Sequence, residues 1–319
     1  MPQIVIPDDS PPVMASSAAY RALLEREAVD YHATLPASEE RLIERIAGAG
    51  VVINIRSSTR FTDAVFRQTP NLRLLSLWGT GTDNVDLSAA ARHGVTVTNT
   101  PGVSAFSIAE HALALMLAAA RRIPRMDGEI RQGHWPRGQA VQMHGKTLGI
   151  VGLGAVGRQF ARLGAGIGMR VIAWTMHPNP ALGFELVSLD DLLRSSDVVS
   201  MHLRLSSETR AFMGKREIEI MKPSAILINT ARGAIVDEQA LFDALTTSRI
   251  AGAGLDVFET EPLPHGHPLT RLDNVVLTPH SAGVTPEALE AGLKLSIDNV
   301  WNFLDGRPTN VVVSGDGAR

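Results

Sequence analysis

The segment TLGIVGLGAVGRQF, residues 147–160, restricts the possible folds of this chain more than any other stretch. An apolar run precedes three glycines, Gly152, Gly154 and Gly157, in the spacing G-x-G-x-x-G. In this spacing the first glycine permits a tight turn, the second admits a pyrophosphate against bare backbone, and the third lets a helix approach the strand. Glycines also serve ordinary turns, but the position between an apolar strand and a helical pattern predicts a dinucleotide site.

Short β-rich runs alternate with helical patterns along almost the whole chain, which is typical of parallel sheets built from βαβ units. The runs fall into two series, and the second predicts two mononucleotide-binding halves. The expected fold class is α/β, with a doubly wound parallel-sheet (Rossmann) cofactor domain and a smaller flavodoxin-like α/β substrate domain. The predicted strands are 3–6, 51–55, 72–78, 95–98, 147–151, 170–174, 197–203, 224–229, 253–257 and 274–278.

A chain of 319 residues exceeds the ~100–200 residues of a typical domain, so two domains are expected. We predict a dinucleotide-binding domain at 99–285 and a substrate domain formed by 1–98 and 286–319, because the last helical pattern, 286–304, can return to the N-terminal domain. The helical pattern 107–122 is apolar nearly all round and must be buried. It belongs either to the core of its own chain or to a contact with a second subunit.

Composition argues against several classes of partner. A net charge of -3 gives no global electrostatic reason to bind nucleic acid or an anionic membrane. The chain has no cysteine, which excludes disulfides and fits a reducing compartment. The N-terminus does not resemble a signal peptide, and the longest apolar run, 112–120, is far shorter than the roughly 20 residues that span a bilayer. We therefore expect a soluble, cytoplasmic protein.

Arg232, Glu261 and His280 come shortly after the last three predicted strands. Each alone has an ordinary explanation, as a surface salt bridge, a solvated charge or a loop donor. Together they place a carboxylate-binding guanidinium, a carboxylate and a titratable imidazole where ligands of α/β sheets bind. The three residues are therefore candidates for a catalytic site.

At these positions the chain resembles the D-isomer-specific 2-hydroxyacid dehydrogenases, in particular glyoxylate/hydroxypyruvate reductase-like members. The resemblance runs from about residue 50 to the C-terminus. It implies an NAD(P)-dependent oxidoreductase that acts on the CH-OH group of 2-hydroxy acids. The segments that carry it are GTGTDNVD (79–86), GKTLGIVGLGAVG (145–157), DVVSMHL (197–203), INTARGAIVDEQAL (228–241), GLDVFETEPLP (254–264) and LTPHSAG (277–283).

The resemblance assigns a role to each candidate catalytic residue. Arg232 resembles the arginine that holds the substrate carboxylate, and Glu261 resembles the carboxylate paired with the imidazole. His280 resembles the acid/base, which gives a proton to the carbonyl oxygen as hydride reaches the carbonyl carbon. In the reverse direction the same imidazole would act as the base.

The expected cofactor is NAD, with NADP possible. Thr175 stands where many members of the family have an aspartate that binds the adenosine ribose and repels a 2′-phosphate, so the preference is poorly resolved. Asp256 looks like the acidic neighbour of the nicotinamide carboxamide, while His202 is either structural or adjacent to the cofactor. The full predicted cofactor-binding set is Gly152, Gly154, Ala155, Val156, Gly157, Thr175, His202, Thr230, Ala231, Asp256 and Gly283.

The substrate side is predicted from Arg56, Gly79, Thr80 and Gly81. The two glycines either expose backbone N–H groups to a carboxylate or form a plain turn. Arg56 ends a strand, where it meets a second anionic group of the substrate or forms only a surface salt bridge. The histidines at 265–267 lack a third ligand, so no metal is expected.

The leading hypothesis is a homodimeric D-2-hydroxyacid dehydrogenase that reduces a small 2-keto acid and binds neither nucleic acid nor membrane. The second is a dinucleotide-sensing binding protein, such as a transcriptional corepressor on the same scaffold, because fold does not fix function. The arginine, glutamate and histidine favour catalysis, but such corepressors can retain all three. Turnover of 2-keto acids distinguishes the two hypotheses.

Overall fold

A computed structural model describes residues 3–315, which divide into two compact units. Unit 1 comprises the chain up to Ser104 and from Thr285 onward, and unit 2 comprises Ala105–Val284. The predicted boundaries at 98/99 and 285/286 differ from these by a few residues. Residues 1–2 and 316–319 of the predicted substrate domain lie outside the described residues.

Strands and helices alternate in the first part of unit 1. Its four helices each begin after a serine, threonine or aspartate whose side chain accepts a hydrogen bond from the backbone N–H three residues later. Such caps fix where each helix starts. The elements are β1 (Gln3–Ile6), α1 (Ala18–Leu24), β2 (Val29–Tyr31), α2 (Glu39–Ile46), β3 (Ala49–Asn54), α3 (Asp63–Gln68), β4 (Leu74–Leu77), α4 (Leu87–Arg92) and β5 (Thr96–Thr98).

Two helices open unit 2, and strands then alternate with helices except where β7 is followed by β8 and β11 by β12. The elements are α5 (Ala105–Arg121), α6 (Ile123–Arg131), β6 (Thr147–Val151), α7 (Ala155–Gly166), β7 (Arg170–Trp174), β8 (Glu185–Leu186), α8 (Leu189–Ser195), β9 (Val198–Met201), α9 (Lys215–Ile220), β10 (Ile226–Asn229), α10 (Glu238–Thr246), β11 (Gly252–Leu255) and β12 (Val275–Leu277). The chain then returns to unit 1 with α11 (Pro286–Leu304) and β13 (Val311–Val313).

Each unit contains one sheet. In unit 1 the strand order is β13-β5-β4-β3-β1-β2, parallel except for β13. In unit 2 the order is β12-β11-β10-β9-β6-β7-β8, and every pair is parallel. The predicted doubly wound α/β fold is confirmed, with the short strands β2, β8 and β13 in addition to the predicted strands.

The strand order of unit 2 reverses direction on either side of β6. The chain runs outward through β7 and β8 on one side and through β9 to β12 on the other. Open α/β sheets bind ligands outside the carboxyl ends of their strands at such a switch point. The glycine turn follows β6, so it lies at this position.

Helix α5 packs one face into the core of unit 2. Ala109, Ala112 and Met116 are fully buried, and the helix contacts α7, β10 and β11. Close approach to β11 requires Gly254, because a Cβ there would lie 2.9 Å from the Cβ of Leu115. This accounts for the first of the two predicted roles of the helix, as part of its own chain's core.

Across residues 3–315, no helix has both the length and the apolar character needed to cross a membrane.

Candidate active site

His280 lies in the loop that follows β12, in a backbone conformation that non-glycine residues rarely adopt. Its φ is 51°, in the left-handed region, and its N–H donates to the carbonyl of Asp256 at 2.7 Å. The ring Nδ1 lies 2.6 Å from Oε2 of Glu261. Because an ionised carboxylate only accepts hydrogen bonds, Nδ1 carries the hydrogen, and Nε2 is the nitrogen that can exchange a proton with a substrate.

Glu261 is held at both carboxylate oxygens. Oε1 accepts from the N–H of Phe258 at 3.0 Å, while Oε2 binds His280. Burial acts to raise the pKa of Glu261, but the hydrogen bond and charge of His280, the Phe258 N–H and the charge of Arg232 together hold that pKa below its usual value. The carboxylate therefore stays ionised at neutral pH and keeps the imidazole oriented.

Arg232 stands on a tight turn at the end of β10, and Asn229 builds that turn. The Asn229 side chain accepts from the N–H of Ala231 at 3.0 Å and donates to the carbonyl of Arg232 at 2.9 Å. The guanidinium donates from Nη1 to the carbonyl of Ala231 at 2.9 Å. The planar fork of N–H groups of a guanidinium matches the two oxygens of a carboxylate ligand.

Gly233 allows the loops that carry Arg232 and Glu261 to approach each other. A Cβ at this position would lie 1.9 Å from the carbonyl carbon of Phe258 and 2.5 Å from the nitrogen of Glu259. These neighbours are backbone atoms, so a larger residue would force the two loops apart. The glycine thus brings Arg232 close enough to Glu261 to lower its pKa.

Asp256 follows β11 and organises the loop that carries His280. Its side chain is 1% exposed. Oδ1 accepts from Thr278 Oγ1 at 2.6 Å and from the N–H of Ser281 at 2.9 Å, and Oδ2 accepts from the N–H of Ala282 at 2.9 Å. Burial acts to raise the pKa of Asp256, but hydrogen bonds from His111 and from these three donors hold it below the usual value. A role beside the nicotinamide carboxamide stays a prediction.

The glycine turn fits a dinucleotide. Gly152 has a φ of 102°, and a Cβ there would lie 2.6 Å from the carbonyl oxygen of His202, so only glycine suits this position. A Cβ on Gly154 would meet no atom within 4 Å, which leaves open space at the N-terminus of α7. Gly154 caps that helix with no side-chain hydrogen bond, so the N–H groups of Ala155 and Val156 are available to a phosphate.

Gly157 and Thr230 support the same fit. A Cβ on Gly157 would lie 2.0 Å from the carbonyl oxygen of Gly152, so the helix and the turn are in backbone contact. The hydroxyl of Thr230, just beyond β10, is buried without a hydrogen-bond partner in the described part of the chain. A buried hydroxyl at the carboxyl end of a central strand suits a polar group of a bound cofactor.

The side chain of His202 is directed to the interior of unit 2. Its Nε2 lies 2.9 Å from Oγ of Ser200, and its ring packs edge-on against Phe160. Burial of the imidazole lowers the pKa of His202 to about 3, so the ring is neutral at physiological pH. The backbone of His202 meets Gly152, so the residue supports the glycine turn through its main chain.

Thr175, Ala231 and Gly283 occupy three different strand ends. Thr175 follows β7 and is half-buried, and the next two residues are exposed. Both backbone groups of Ala231 serve the turn that carries Arg232. Gly283 follows the two N–H groups that bind Asp256. Their contacts with a cofactor stay predictions.

Arg56 in unit 1 forms an ion pair that is internal rather than on the surface, and its other predicted role, contact with a second anionic group of the substrate, stays a prediction. Its Nη2 lies 3.7 Å from Oδ1 of Asp9, whose side chain is completely buried, and it donates to the carbonyl of Pro11. Asp9 also accepts from the hydroxyl of Tyr31 at 2.8 Å. The Nε of Arg56 is buried and finds no acceptor among the described residues. The arginine is thus largely committed within unit 1.

The glycines at 79 and 81 differ in their backbone contacts. Gly79 has a φ of 127°, and its N–H donates to Oγ1 of Thr100 at 2.7 Å, as in a plain turn, while its predicted contact with a substrate stays a prediction. The carbonyl of Thr80 accepts from Nδ2 of Asn99 at 2.8 Å. For the N–H of Gly81, residues 3–315 offer no acceptor, so its role toward a carboxylate stays a prediction.

Sequence reasoning missed four polar residues that fix the candidate loops: Asp8, Asp9, His111 and Thr278. Two adjacent carboxylates one residue after an apolar strand are a signal that would have found the aspartates. Thr278 stands within the quoted segment LTPHSAG, but nothing in the pattern links it to His111. Within the described ranges, no group of three or more His, Asp or Glu side chains is placed to hold a metal ion.

This chain is similar to known proteins in sequence. The family model of the D-isomer specific 2-hydroxyacid dehydrogenase, NAD binding domain, matches residues 113–282. Glyoxylate reductase from Aeropyrum pernix is 42% identical over 291 residues, which cover 87% of this chain and 87% of that protein. D-3-phosphoglycerate dehydrogenase from Archaeoglobus fulgidus is 40% identical over 284 residues, which cover 87% of this chain but 54% of that protein. The chain thus spans about half the length of the second relative.

Solved structures show the same likeness. An acyclic imino acid reductase in complex with NADPH and D-Arg matches with a TM-score of 0.90 and 30% sequence identity, covering 98% of this chain and 100% of that chain. This structural match therefore includes both units. The range matched by the family model, 113–282, includes the glycine turn together with Arg232, Glu261 and His280.

Proposed function

Because the chain belongs to the D-isomer-specific 2-hydroxyacid dehydrogenase family, we propose that it is an NAD(P)-dependent enzyme that reduces small 2-keto acids to 2-hydroxy acids. The observation that carries this proposal is the 2.6 Å contact between Nδ1 of His280 and Oε2 of Glu261. The pair lies in the NAD-binding domain, at the carboxyl ends of neighbouring strands, and Arg232 is near enough to act on Glu261.

The chain's own residues would bind the substrate and transfer the proton. When bound, a reduced nicotinamide supplies the hydride that adds to the carbonyl carbon. His280 gives the proton on Nε2 to the carbonyl oxygen as negative charge builds there, and takes it back in the reverse direction. Glu261 accepts from Nδ1 throughout, which fixes the tautomer and stabilises the imidazolium. Arg232 holds the substrate carboxylate through parallel N–H groups.

The substrates we propose carry one carboxylate and no second anionic group, as in glyoxylate and hydroxypyruvate. Arg56, the predicted partner for a second anion, already faces the buried carboxylate of Asp9. A phosphate placed there would meet that negative charge as well as the guanidinium, so the net attraction is small. The length of the match to a glyoxylate reductase, 87% of both chains, agrees with this substrate class.

We propose that NAD is used with modest selectivity over NADP. Thr175 supplies no charge to repel a 2′-phosphate, and residues 175–177 contain no arginine to bind one. Thr175→Asp should raise the preference for NAD by about tenfold or more, since it adds a ribose acceptor and a repelling charge. The ratio of kcat/KM for NADH and NADPH measures this. A wild type that already rejects NADPH by several orders of magnitude would show that another residue supplies the exclusion.

Oxidation of NADH and NADPH, followed at 340 nm with a panel of acids, tests the activity. The panel comprises glyoxylate, hydroxypyruvate, pyruvate, phenylpyruvate and 3-phosphohydroxypyruvate. We expect turnover with the unphosphorylated acids and a higher kcat/KM for hydroxypyruvate than for its 3-phosphate. Failure with every acid would return the dinucleotide-sensing hypothesis to first place.

A second copy of the chain is the partner we propose, bound through residues 105–142. This stretch holds five exposed large apolar side chains, and such concentrations on a surface mark interfaces. They are Phe106, Ile123, Ile130, Trp135 and Val141. Sedimentation should give the mass of a dimer, and Trp135→Ser should weaken it. A monomeric wild type would refute the pairing.

The absence of cysteine fits a location in the reducing cytoplasm.

A further inference from the structure

His111, in the second turn of α5, contacts the loop that carries His280. Its Nε2 lies 2.9 Å from Oγ1 of Thr278 and 3.5 Å from Oδ1 of Asp256. The first contact joins residues 167 positions apart in the sequence. His111 is thus linked to the catalytic loop through a single threonine and a buried carboxylate.

The direction of each hydrogen bond in this chain of contacts is fixed by elementary donor counting. Asp256 has a low pKa, so it is ionised and can only accept. The hydroxyl of Thr278 has one hydrogen and gives it to Asp256 at 2.6 Å. Oγ1 of Thr278 can therefore only accept from His111, so Nε2 of His111 carries a hydrogen.

The network encloses His280 from both sides. Asp256 binds Thr278 before it and the N–H groups of Ser281 and Ala282 after it. The N–H of His280 itself donates to the Asp256 carbonyl. A left-handed histidine costs conformational energy and persists only where its surroundings determine it. These contacts of Asp256 hold the backbone of His280 in its left-handed conformation.

We propose that His111 is a positioning residue of the reaction, which holds the Thr278–Asp256 pair and thereby the catalytic loop in its reactive conformation. This inference rests on the proposed function, in which His280 is the acid/base. Helix α5 is the first element of unit 2 and the loop is its last segment, ending at Val284. His111 therefore links helix α5, at the start of unit 2, to the loop at its end through a hydrogen bond to Thr278.

Three variants in the full-length protein test the role. His111→Leu removes the donor, His111→Gln keeps an N–H at a similar reach, and Glu110→Gln changes the exposed neighbouring residue as a matched control. Each is assayed for kcat and KM with hydroxypyruvate and NADH, for NADH affinity by fluorescence, and for thermal stability. Hydrogen exchange at the amides of Ser281 and Ala282 reports the loop directly.

His111→Leu should lower kcat by about 10- to 100-fold, the range expected when a catalytic group is misplaced by about 1 Å. NADH affinity should change by less than about twofold, and the two amides should exchange faster. His111→Gln should recover most of kcat, and Glu110→Gln should match the wild type. An unchanged kcat with unchanged exchange in His111→Leu would overturn the proposal.

Failure of this inference and failure of the proposed function give different results. If the wild type reduces none of the acids, the function fails, and exchange alone then decides the role of His111. If His111→Leu does not fold, Thr278→Val removes the same link from the other side. Thr278→Val should then show the loss of kcat and the faster exchange, while wild-type values for both would overturn the proposal.

Discussion

Each unit holds a loop with a buried aspartate that follows a strand of its sheet. In unit 1, Asp8 follows β1 and accepts from the N–H groups of Ile55 at 2.9 Å and Arg56 at 3.2 Å. In unit 2, Asp256 follows β11 and accepts from the N–H groups at 281 and 282. In both sites a buried carboxyl group accepts hydrogen bonds from the backbone of a neighbouring loop and fixes its conformation.

The two carboxyl groups differ in their pKa. Burial raises the pKa of Asp8 and outweighs the hydrogen bonds that this group accepts. At Asp256 burial also acts upward, but the donors prevail and the pKa falls below its usual value. Two buried carboxyl groups at similar positions in parallel sheets can therefore differ in pKa, because the pKa depends on whether the hydrogen-bond donors around the group outweigh its burial.

The charged side chains on the two loops also differ in the partners that they bind. In unit 1 the guanidinium of Arg56 is paired with Asp9, so its charge is largely spent within the unit. In unit 2 the partners of Asp256 are backbone N–H groups, Thr278 and His111, and the ring of His280 pairs with Glu261 instead. The first arrangement ties a charged side chain into the structure of unit 1, while the second leaves Nε2 of His280 for the proton transfer that we propose.

The largest effect is expected on the unit 2 loop. His280→Ala should lower kcat by roughly 10²- to 10⁴-fold, because a positioned acid/base contributes that much, with little change in dinucleotide affinity. Steady-state kinetics and NADH titration measure both quantities. His265→Ala, at an exposed histidine, serves as the control. A loss confined to KM would show that His280 binds substrate without transferring a proton.

Gly233→Ala should separate Arg232 from Glu261. Its Cβ would overlap the carbonyl carbon of Phe258 at 1.9 Å, so the loops must move, and kcat should fall on the order of 100-fold. Overpacking against backbone should also lower Tm by about 5–10 °C. Gly166→Ala, where a Cβ meets no atom within 4 Å, should leave both values near wild type. Wild-type kcat in Gly233→Ala would refute the close approach.

The pH dependence of stability should separate the two aspartates. Asp256 has a lowered pKa when folded, so its stabilisation is present above the unfolded value of ~3.9 and is lost as pH falls through the folded pKa. Asp256→Asn should therefore lower Tm by about 5–10 °C at pH 7, and the difference should shrink below about pH 4.

Asp8 should show the opposite trend. Its pKa is raised on folding, so its stabilisation is present below ~3.9 and is lost as pH rises through the folded pKa. Relative to wild type, Asp8→Asn should become more stable as pH rises from about 4 toward 7. Calorimetry across this range checks both variants, and parallel trends would refute the contrast between the two sites.

The smallest effect is expected at Arg56. Because the guanidinium is paired with Asp9, Arg56→Gln should leave kcat for hydroxypyruvate unchanged and alter KM by less than about threefold. The same assay with 3-phosphohydroxypyruvate is the internal comparison. An increase of KM above roughly tenfold, about 1.4 kcal/mol of binding, would show that Arg56 contacts the substrate.

The sequence predicted the regular parts of the fold well. Strands β1, β6 and β7 have the predicted bounds, and α11 begins at Pro286 as expected. The short strands β2, β8 and β13 were missed because runs of two or three residues show no period of their own. Local pattern thus predicts the elements whose apolar residues are numerous enough to repeat.

The site was predicted less completely than the fold. Arg232, Glu261 and His280 could be found because each follows a strand whose pattern is visible. The left-handed φ of His280 and the role of Gly233 depend on backbone contacts between distant loops, which no local pattern encodes. The commitment of Arg56 to Asp9 was missed for the same reason, since the two residues are far apart in sequence.

A crystal structure with NADH and oxamate, an inert analogue of a 2-keto acid, tests the central claim most directly. The account predicts the oxamate carboxylate on the guanidinium of Arg232 and the carbonyl oxygen within hydrogen-bond distance of Nε2 of His280, with Glu261 still on Nδ1. Oxamate bound away from Arg232, or with the imidazole of His280 turned from the carbonyl oxygen, would contradict it.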